Sequence, residues 1–322
     1  MFVIVEALFF LLWLIVLSWG ADRFVFGASA LAKNIGISPM IIGLTIVAMG
    51  SSAPEIMVSA TASFNGNIDT AVGNAIGSNI TNIALVLGLT ALLKPLSIAS
   101  TTLKREMPVL LLVSLLATYI LSDLYLSLNE GLVLFVMFFI TIAGLAWMSY
   151  HMEKGDPLES ETISEIPSNV PTKNAIIWLL VGLVLLPLSA HFMVDSAVII
   201  ARHFGLSDLV IGLTIIAIGT SLPELAASVA GVLKGEDDLA LGNIIGSNIF
   251  NVLAVMAMPG LIAAGPVDPS AAGRDIYVML GVTVLLMAFS FNFRGSRRIN
   301  RPEGVVLLGC FCAYQYIVFS AV

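Results

Sequence analysis

The chain has 322 residues, 58% hydrophobic and only 11% charged, with a formal net charge of −7. A mean hydropathy of +1.02 excludes a soluble protein, whose domains carry about 25% charged residues. The sparse, net acidic charge also leaves no basic surface for nucleic acid.

A helix needs roughly 20 apolar residues to cross the hydrocarbon core. Ten stretches meet that need: about 2–20, 40–64, 70–93, 106–124 and 130–150, then 175–202, 208–232, 238–262, 275–293 and 303–321. The first lacks a basic leading region and a small-residue cleavage pattern and carries Glu6, so it is expected to remain as a membrane helix. Residues 151–174 place Glu153, Asp156, Glu159, Glu161 and Glu165 against Lys154 and Lys173. They form a solvated acidic linker too short for a regulatory domain. Cys310 and Cys312 stand two apart on a helix, hence on different faces, which suits packing rather than a disulfide or a metal.

The halves repeat each other. Residues 43–55 read GLTIVAMGSSAPE and 212–224 read GLTIIAIGTSLPE; 73–82 read GNAIGSNITN and 242–251 read GNIIGSNIFN. One offset, 169 residues, relates both pairs, and it also aligns Gly36 with Gly205, Ser38 with Ser207, and Arg105-Glu106 with Arg274-Asp275. Glu130-Gly131 matches Glu303-Gly304 after a small insertion. The expected organisation is a first five-helix repeat over 1–150, the linker over 151–174, and a second repeat over 175–322. Five spans per repeat force opposite orientations, so the fold class is an all-α membrane protein of ten transmembrane helices in two inverted repeats.

Basic residues test this count. Arg23, Lys33, Lys94, Lys104, Arg105, Lys154, Lys173, Lys234, Arg294, Arg297, Arg298 and Arg301 fall on one side, and only Arg202 and Arg274 on the other. Both termini are then outside and the linker is cytoplasmic, in a cell (inner) membrane.

Glu55 and Glu224 sit inside apolar spans, where an ionisable side chain costs about 2.5 kcal/mol or more and faces a pathway or a partner. Pro54 and Pro223 lack an N–H and clash with the carbonyls of Gly50 and Gly219. The helices should therefore break over 50–54 and 219–223, freeing carbonyls that a cation can satisfy; a plain proline kink, satisfied by Ser52 and Ser221, would leave the glutamates unexplained. Ser51 and Ser52 precede Glu55 by four and three residues, as Thr220 and Ser221 precede Glu224, which places their hydroxyls on the glutamate face of a helix. Asn74, Ser78 and Asn82 form a polar stripe that Asn243, Ser247 and Asn251 repeat. The outer pair, Asn74 and Asn243, suits interhelical hydrogen bonding as well as a site. Gly73-x-x-x-Gly77 and Gly242-x-x-x-Gly246 allow close backbone approach. The donors are all oxygen, which suits Ca²⁺, Mg²⁺, Mn²⁺ or Na⁺ and not zinc or copper. His191 stands alone and no Ser/His pair lies in the spans, so catalysis is not expected.

At these residues the sequence resembles the cation/Ca²⁺ antiporter superfamily, most closely its prokaryotic Na⁺/Ca²⁺ exchanger branch, with G-[ST]-S-x-P-E and G-N-x-x-G-S-N each present twice, over 40–93 and 208–262. The resemblance implies a diamond of four ion sites between the second, third, seventh and eighth helices. It implies central ligands at Glu55 and Glu224 and backbone carbonyl ligands at Ser51, Thr220, Ala48 and Ala217. Hydroxyl ligands would come from Ser52, Ser78, Ser221 and Ser247, and Asn82 and Asn251 would flank the middle site. The family often has one Asp at a flanking position; here both are Asn. The expected function is Ca²⁺/Na⁺ exchange by alternating access, with no resident cofactor, the ions being cargo, and with the monomer as the working unit. Ca²⁺/H⁺ antiport and a passive cation channel are the alternatives.

Overall fold

The computed structural model describes residues 2–36, 50–98, 100–151, 170–234, 237–290 and 298–320. Residues 40–49 of the second expected span, including Ala48, and most of the linker lie outside the described residues. In chain order the first repeat comprises α1 (Phe2–Asn34), α2 (Ala53–Phe64), α3 (Ile68–Leu93), β1 (Leu96–Ser97), α4 (Ser100–Ile120), β2 (Tyr125–Leu126) and α5 (Leu128–His151). The second comprises α6 (Thr172–His203), α7 (Asp208–Thr220), α8 (Leu222–Lys234), α9 (Asp237–Ala263), β3 (Gly265–Pro266), α10 (Ala271–Ser290), β4 (Arg298–Ile299) and α11 (Arg301–Ser320). Among the described residues nine segments are long and apolar enough to cross a membrane, α7 and α8 together counting as one.

The first helix corrects its expected boundary. It does not stop near residue 20 but runs 33 residues to Asn34, carrying Arg23 within the helix. At 1.5 Å per residue it spans about 50 Å. Its length is set by α6, of 32 residues, which lies antiparallel to it: Trp13 stacks on Phe192 at 4.7 Å and Trp19 meets Trp178 edge-on at 6.0 Å. Glycines close the seam. A Cβ on Gly27 would lie 2.3 Å from the Leu179 nitrogen, and one on Gly182 would lie 2.6 Å from the Phe24 Cα. In lipid, where apolar surface alone does not drive association, such small-residue contacts hold helices together. The Asn34 amide also donates to the Val170 carbonyl at 3.0 Å and to the Thr172 hydroxyl at 3.2 Å.

The repeats interlock. α5 of the first meets α9 of the second at Gly131 and Gly260, where either Cβ would lie 2.8 Å from the opposing backbone. Its counterpart, α11 on α3, meets at Gly304 and Gly88 with 2.8 and 3.1 Å. Two short antiparallel ribbons repeat the exchange, with Leu96 opposite Ile299 and Tyr125 opposite Pro266. Glu130 accepts from the Ser127 backbone N–H at 2.8 Å and Glu303 from that of Asn300 at 2.9 Å, so the aligned glutamates are N-terminal caps of α5 and α11.

Buried apolar residues form two clusters. One joins α1 and α6 to a single face of α2, α3 and α7, through Val58, Ala62, Ala71, Ile211 and Ile216. The other holds the rest of the bundle together around α3, α4, α9, α10 and α11.

Candidate cation site

The chain breaks where proline requires it. Ser51 and Ser52 form a turn and α2 begins at Ala53, with Ser52 at φ −91° and ψ 2°. Ser221, at φ −85° and ψ 0°, separates α7 from α8 in the same way. Hydrogen bonding resumes at once, Ile56 donating to the Ser52 carbonyl at 3.1 Å and Leu225 to the Ser221 carbonyl at 3.0 Å. Pro54 and Pro223 have no hydrogen to donate to the carbonyls of Gly50 and Gly219. Ser51, Ser52 and Ser221 thus owe their positions to turns, which corrects the expectation that helical spacing places them.

Four helices converge behind these turns. The Ser51 hydroxyl of the first repeat lies 3.1 Å from that of Ser247 in the second, and the Ser78 hydroxyl lies 3.5 Å from that of Thr220. These two contacts are the same pair exchanged by the 169-residue offset. Glu55 and Glu224 are 0% and 1% exposed, and their charges lie close enough to interact. All four carboxylate oxygens are buried without a hydrogen-bond partner among the described residues, as are the hydroxyls of Ser52 and Ser221 and the amide oxygens of Asn82 and Asn251. Buried polar atoms are ordinarily paired, at a cost of about 1–3 kcal/mol each when they are not. Carboxylate, hydroxyl and amide oxygens left without partners are the donor types that a hard cation takes.

α3 and α9 supply the stripes. α3 turns π-helical over Thr81–Leu87 and α9 over Asn251–Val255, so each wide turn includes the flanking asparagine. Such segments recur at functional sites, and nothing in the residue spacing announces them. Asn74 is used between helices: its amide donates to the Glu55 carbonyl at 3.2 Å and to the Ser59 hydroxyl at 2.9 Å. The Ala217 carbonyl already accepts the Ser221 N–H at 3.2 Å, leaving one lone pair. Gly77 permits the close approach expected of it, a Cβ there meeting Leu213 and Ala217 at 2.8 Å. Gly246 meets nothing within 4 Å among the described residues; its counterpart neighbours, Leu44 and Ala48, lie outside them.

The family model described as sodium/calcium exchanger protein matches residues 5–147 and 174–320. The chain belongs to the sodium/calcium exchanger family. It is a membrane antiporter of the prokaryotic branch of the cation/Ca²⁺ antiporter superfamily. A protein of Alkalimonas amylolytica named as an antiporter, CaxA, is 58% identical over 99% of this chain and 100% of its own length. Sodium/calcium exchanger MaX1 of Methanosarcina acetivorans is 30% identical over 98% of this chain and 99% of its own. The solved structure of the sodium-calcium exchanger NCX_Mj soaked with Na⁺ and Sr²⁺ covers 97% of both chains at 34% identity, with a TM-score of 0.64. The fold is accordingly ten transmembrane helices in two inverted five-helix repeats.

Two features of this exchanger escaped the motif. Asn248, the third residue of the second G-S-N, accepts a hydrogen bond from Asn82 at 3.1 Å; the repetition of the tripeptide was the available signal. His191 is not alone, since its Nε2 lies 3.4 Å from the Asp195 carboxylate one turn along α6. That pair is half-exposed on the outer helices, away from the glutamates.

Proposed function

We propose that the chain exchanges Ca²⁺ for Na⁺ at a single site shared by the two repeats, with Glu55 and Glu224 as the central ligands of both ions. The observation that carries this reading is the set of four buried carboxylate oxygens without partners among the described residues, bracketed by the Ser51–Ser247 and Ser78–Thr220 contacts. Hydroxyls of Ser52, Ser78, Ser221 and Ser247, carbonyls of Ser51, Thr220, Ala48 and Ala217, and the amides of Asn82 and Asn251 complete the neutral donors. Because one pair of carboxylates serves both ions, Ca²⁺ and Na⁺ compete, and competition is what obligate exchange requires. Two carboxylates balance one Ca²⁺ or two Na⁺. A third Na⁺ would leave one positive charge, so a three-for-one exchange is electrogenic.

Both flanking residues being neutral favours Na⁺ over H⁺ as the counter-ion, as does the resemblance to proteins named sodium/calcium exchangers. Internal pseudosymmetry around one buried site favours a carrier over a channel, which builds its pore from oligomeric symmetry. α1 and α6 join through glycine contacts and share an apolar cluster that also takes in one face of α2, α3 and α7; they slide as a unit over that face and expose the site to one side at a time. The 1–150 and 175–322 repeats stand inverted, with the linker cytoplasmic and both termini outside. A relative 43% identical is named an inner membrane protein, which supports a place in that membrane and says nothing of orientation.

The test is ⁴⁵Ca²⁺ uptake into proteoliposomes under an outward Na⁺ gradient. Uptake should require the gradient and accelerate when a membrane potential compensates the charge moved. Uptake driven equally well by a pH gradient without Na⁺ would establish Ca²⁺/H⁺ antiport instead, and flux without trans-stimulation would establish a channel.

A further inference from the structure

Asn82 and Asn251 occupy equivalent positions, but their amides are not held alike. The Asn82 Nδ2 donates to the Asn248 Oδ1 at 3.1 Å, and both residues are 0% exposed. The Asn82 Oδ1 has no partner among the described residues. An amide group is planar, so fixing its nitrogen against Asn248 fixes the direction of its oxygen. By the 169-residue offset the same relation in the other repeat would join Asn251 to Asn79. It does not form: the Asn79 Nδ2 lies 3.3 Å from the Met279 sulfur, and neither polar atom of the Asn251 side chain has a partner among the described residues.

We propose that Asn248 is a positioning residue for cation binding, whose acceptance of the Asn82 amide hydrogen turns the Asn82 carbonyl oxygen toward the transported ion, while Asn251 is left to rotate. The proposal rests on Asn82 being a ligand of that ion. Rotating the Asn82 amide alone would set two carbonyl oxygens against each other at Asn248 and present N–H groups to the cation. Rotating both amides would restore the hydrogen bond, because the Asn248 Nδ2 is itself buried without a partner among the described residues. That second arrangement again aims hydrogens at the ion, so a bound cation selects the first. The flanking pair therefore holds one fixed neutral oxygen and one adaptable one, although its residue types are identical. A carboxylate at position 82 would need no such support, since its two oxygens are equivalent.

The experiment is isothermal titration of the purified full-length protein with CaCl₂ in Na⁺-free buffer, and separately with NaCl. Asn248→Leu should weaken Ca²⁺ binding about tenfold, the scale of one lost orienting hydrogen bond. Asn248→Asp, which keeps the acceptor, should bind Ca²⁺ at least as tightly as the unaltered protein. In an Asn82→Asp background the Leu substitution should cost less than about twofold, the coupling a double-mutant cycle detects. An equal loss in both backgrounds would mean a merely structural role and overturn the proposal, as would an unchanged affinity in Asn248→Leu. If Asn248→Leu does not fold, weakened binding in Asn248→Asp overturns it alone. Asn82→Ala separates the two levels. Unchanged Ca²⁺ affinity there removes Asn82 from the ligand set and the positioning role with it, whereas a loss there with none in Asn248→Leu defeats only the positioning role.

Discussion

α2 and α8 are equivalent segments of the two repeats, each led by a turn and a proline and each carrying a glutamate, yet they are covered differently. α2 buries Val58 and Ala62 completely, in one apolar cluster with Leu186, Ala190 and Met193 of α6. α8 leaves Leu222 43% exposed and Ala226 and Ala227 exposed too, and α1 makes no comparable contact with it among the described residues. The difference follows the α1–α6 pair, which lies over one of two equivalent surfaces. Inverted repeats make this economical, because a shift of that pair onto α8 generates the opposite state with no new kind of contact. In the orientation proposed above, where α2 runs from the site toward the outside and α8 toward the cytoplasm, the α1–α6 pair covers the outward half.

The largest test asks whether the chemical duplicates are equal despite their cover. Glu55→Gln and Glu224→Gln should each lower gradient-driven ⁴⁵Ca²⁺ uptake by at least about 100-fold, since each removes one of two charges facing a divalent ion in a low-dielectric site. A tolerant Glu224→Gln beside a dead Glu55→Gln would confine the site to one repeat. A middle-sized test reads the cover itself, in a background lacking Cys310 and Cys312. Ala227→Cys should react with a thiol reagent at least about tenfold faster than Val58→Cys, its equivalent under α6. Equal rates in the absence of ions would remove the asymmetry; rates that invert when the Na⁺ gradient is reversed would tie it to transport. The smallest test compares Ser59 with Ser228. Ser59 donates to the Ala71 carbonyl at 3.2 Å and accepts from Asn74 at 2.9 Å, whereas the Ser228 hydroxyl is buried without a partner among the described residues. Ser59→Ala should lower stability by about 1 kcal/mol and Ser228→Ala by less than about 0.5 kcal/mol in thermal unfolding.

The sequence announced the features that covalent chemistry forces locally. A Pro-Glu after a glycine breaks a helix whatever surrounds it, so the turns at Ser51–Ser52 and Ser221 fell where expected. Features decided by distant partners were not legible. α1 runs through Arg23 to Asn34 because α6 offers it a glycine-lined seam, and no local pattern encodes that seam. The paired alignment of Glu130 and Glu303 was visible as repetition, but their capping of α5 and α11 was not. Asn248 was equally visible as a letter of a repeated motif. Its bond to Asn82 depends on how α3 and α9 cross, and the differing fate of Asn79 shows that the motif alone does not determine it.

The ribbons and glycine contacts between the repeats carry a consequence for ancestry. A polypeptide ending after α5 would leave Leu96–Ser97 and Tyr125–Leu126 without the strands they pair with here, and Gly88 and Gly131 without the backbones they meet. The only copy that supplies those partners is one inserted upside down. A gene for a single repeat would thus have had to deliver its product to the membrane in both directions, at comparable yield. Fusing two copies would remove that gamble, and the twelve-to-two distribution of basic residues expected from the sequence is the signal that would fix one orientation for each half.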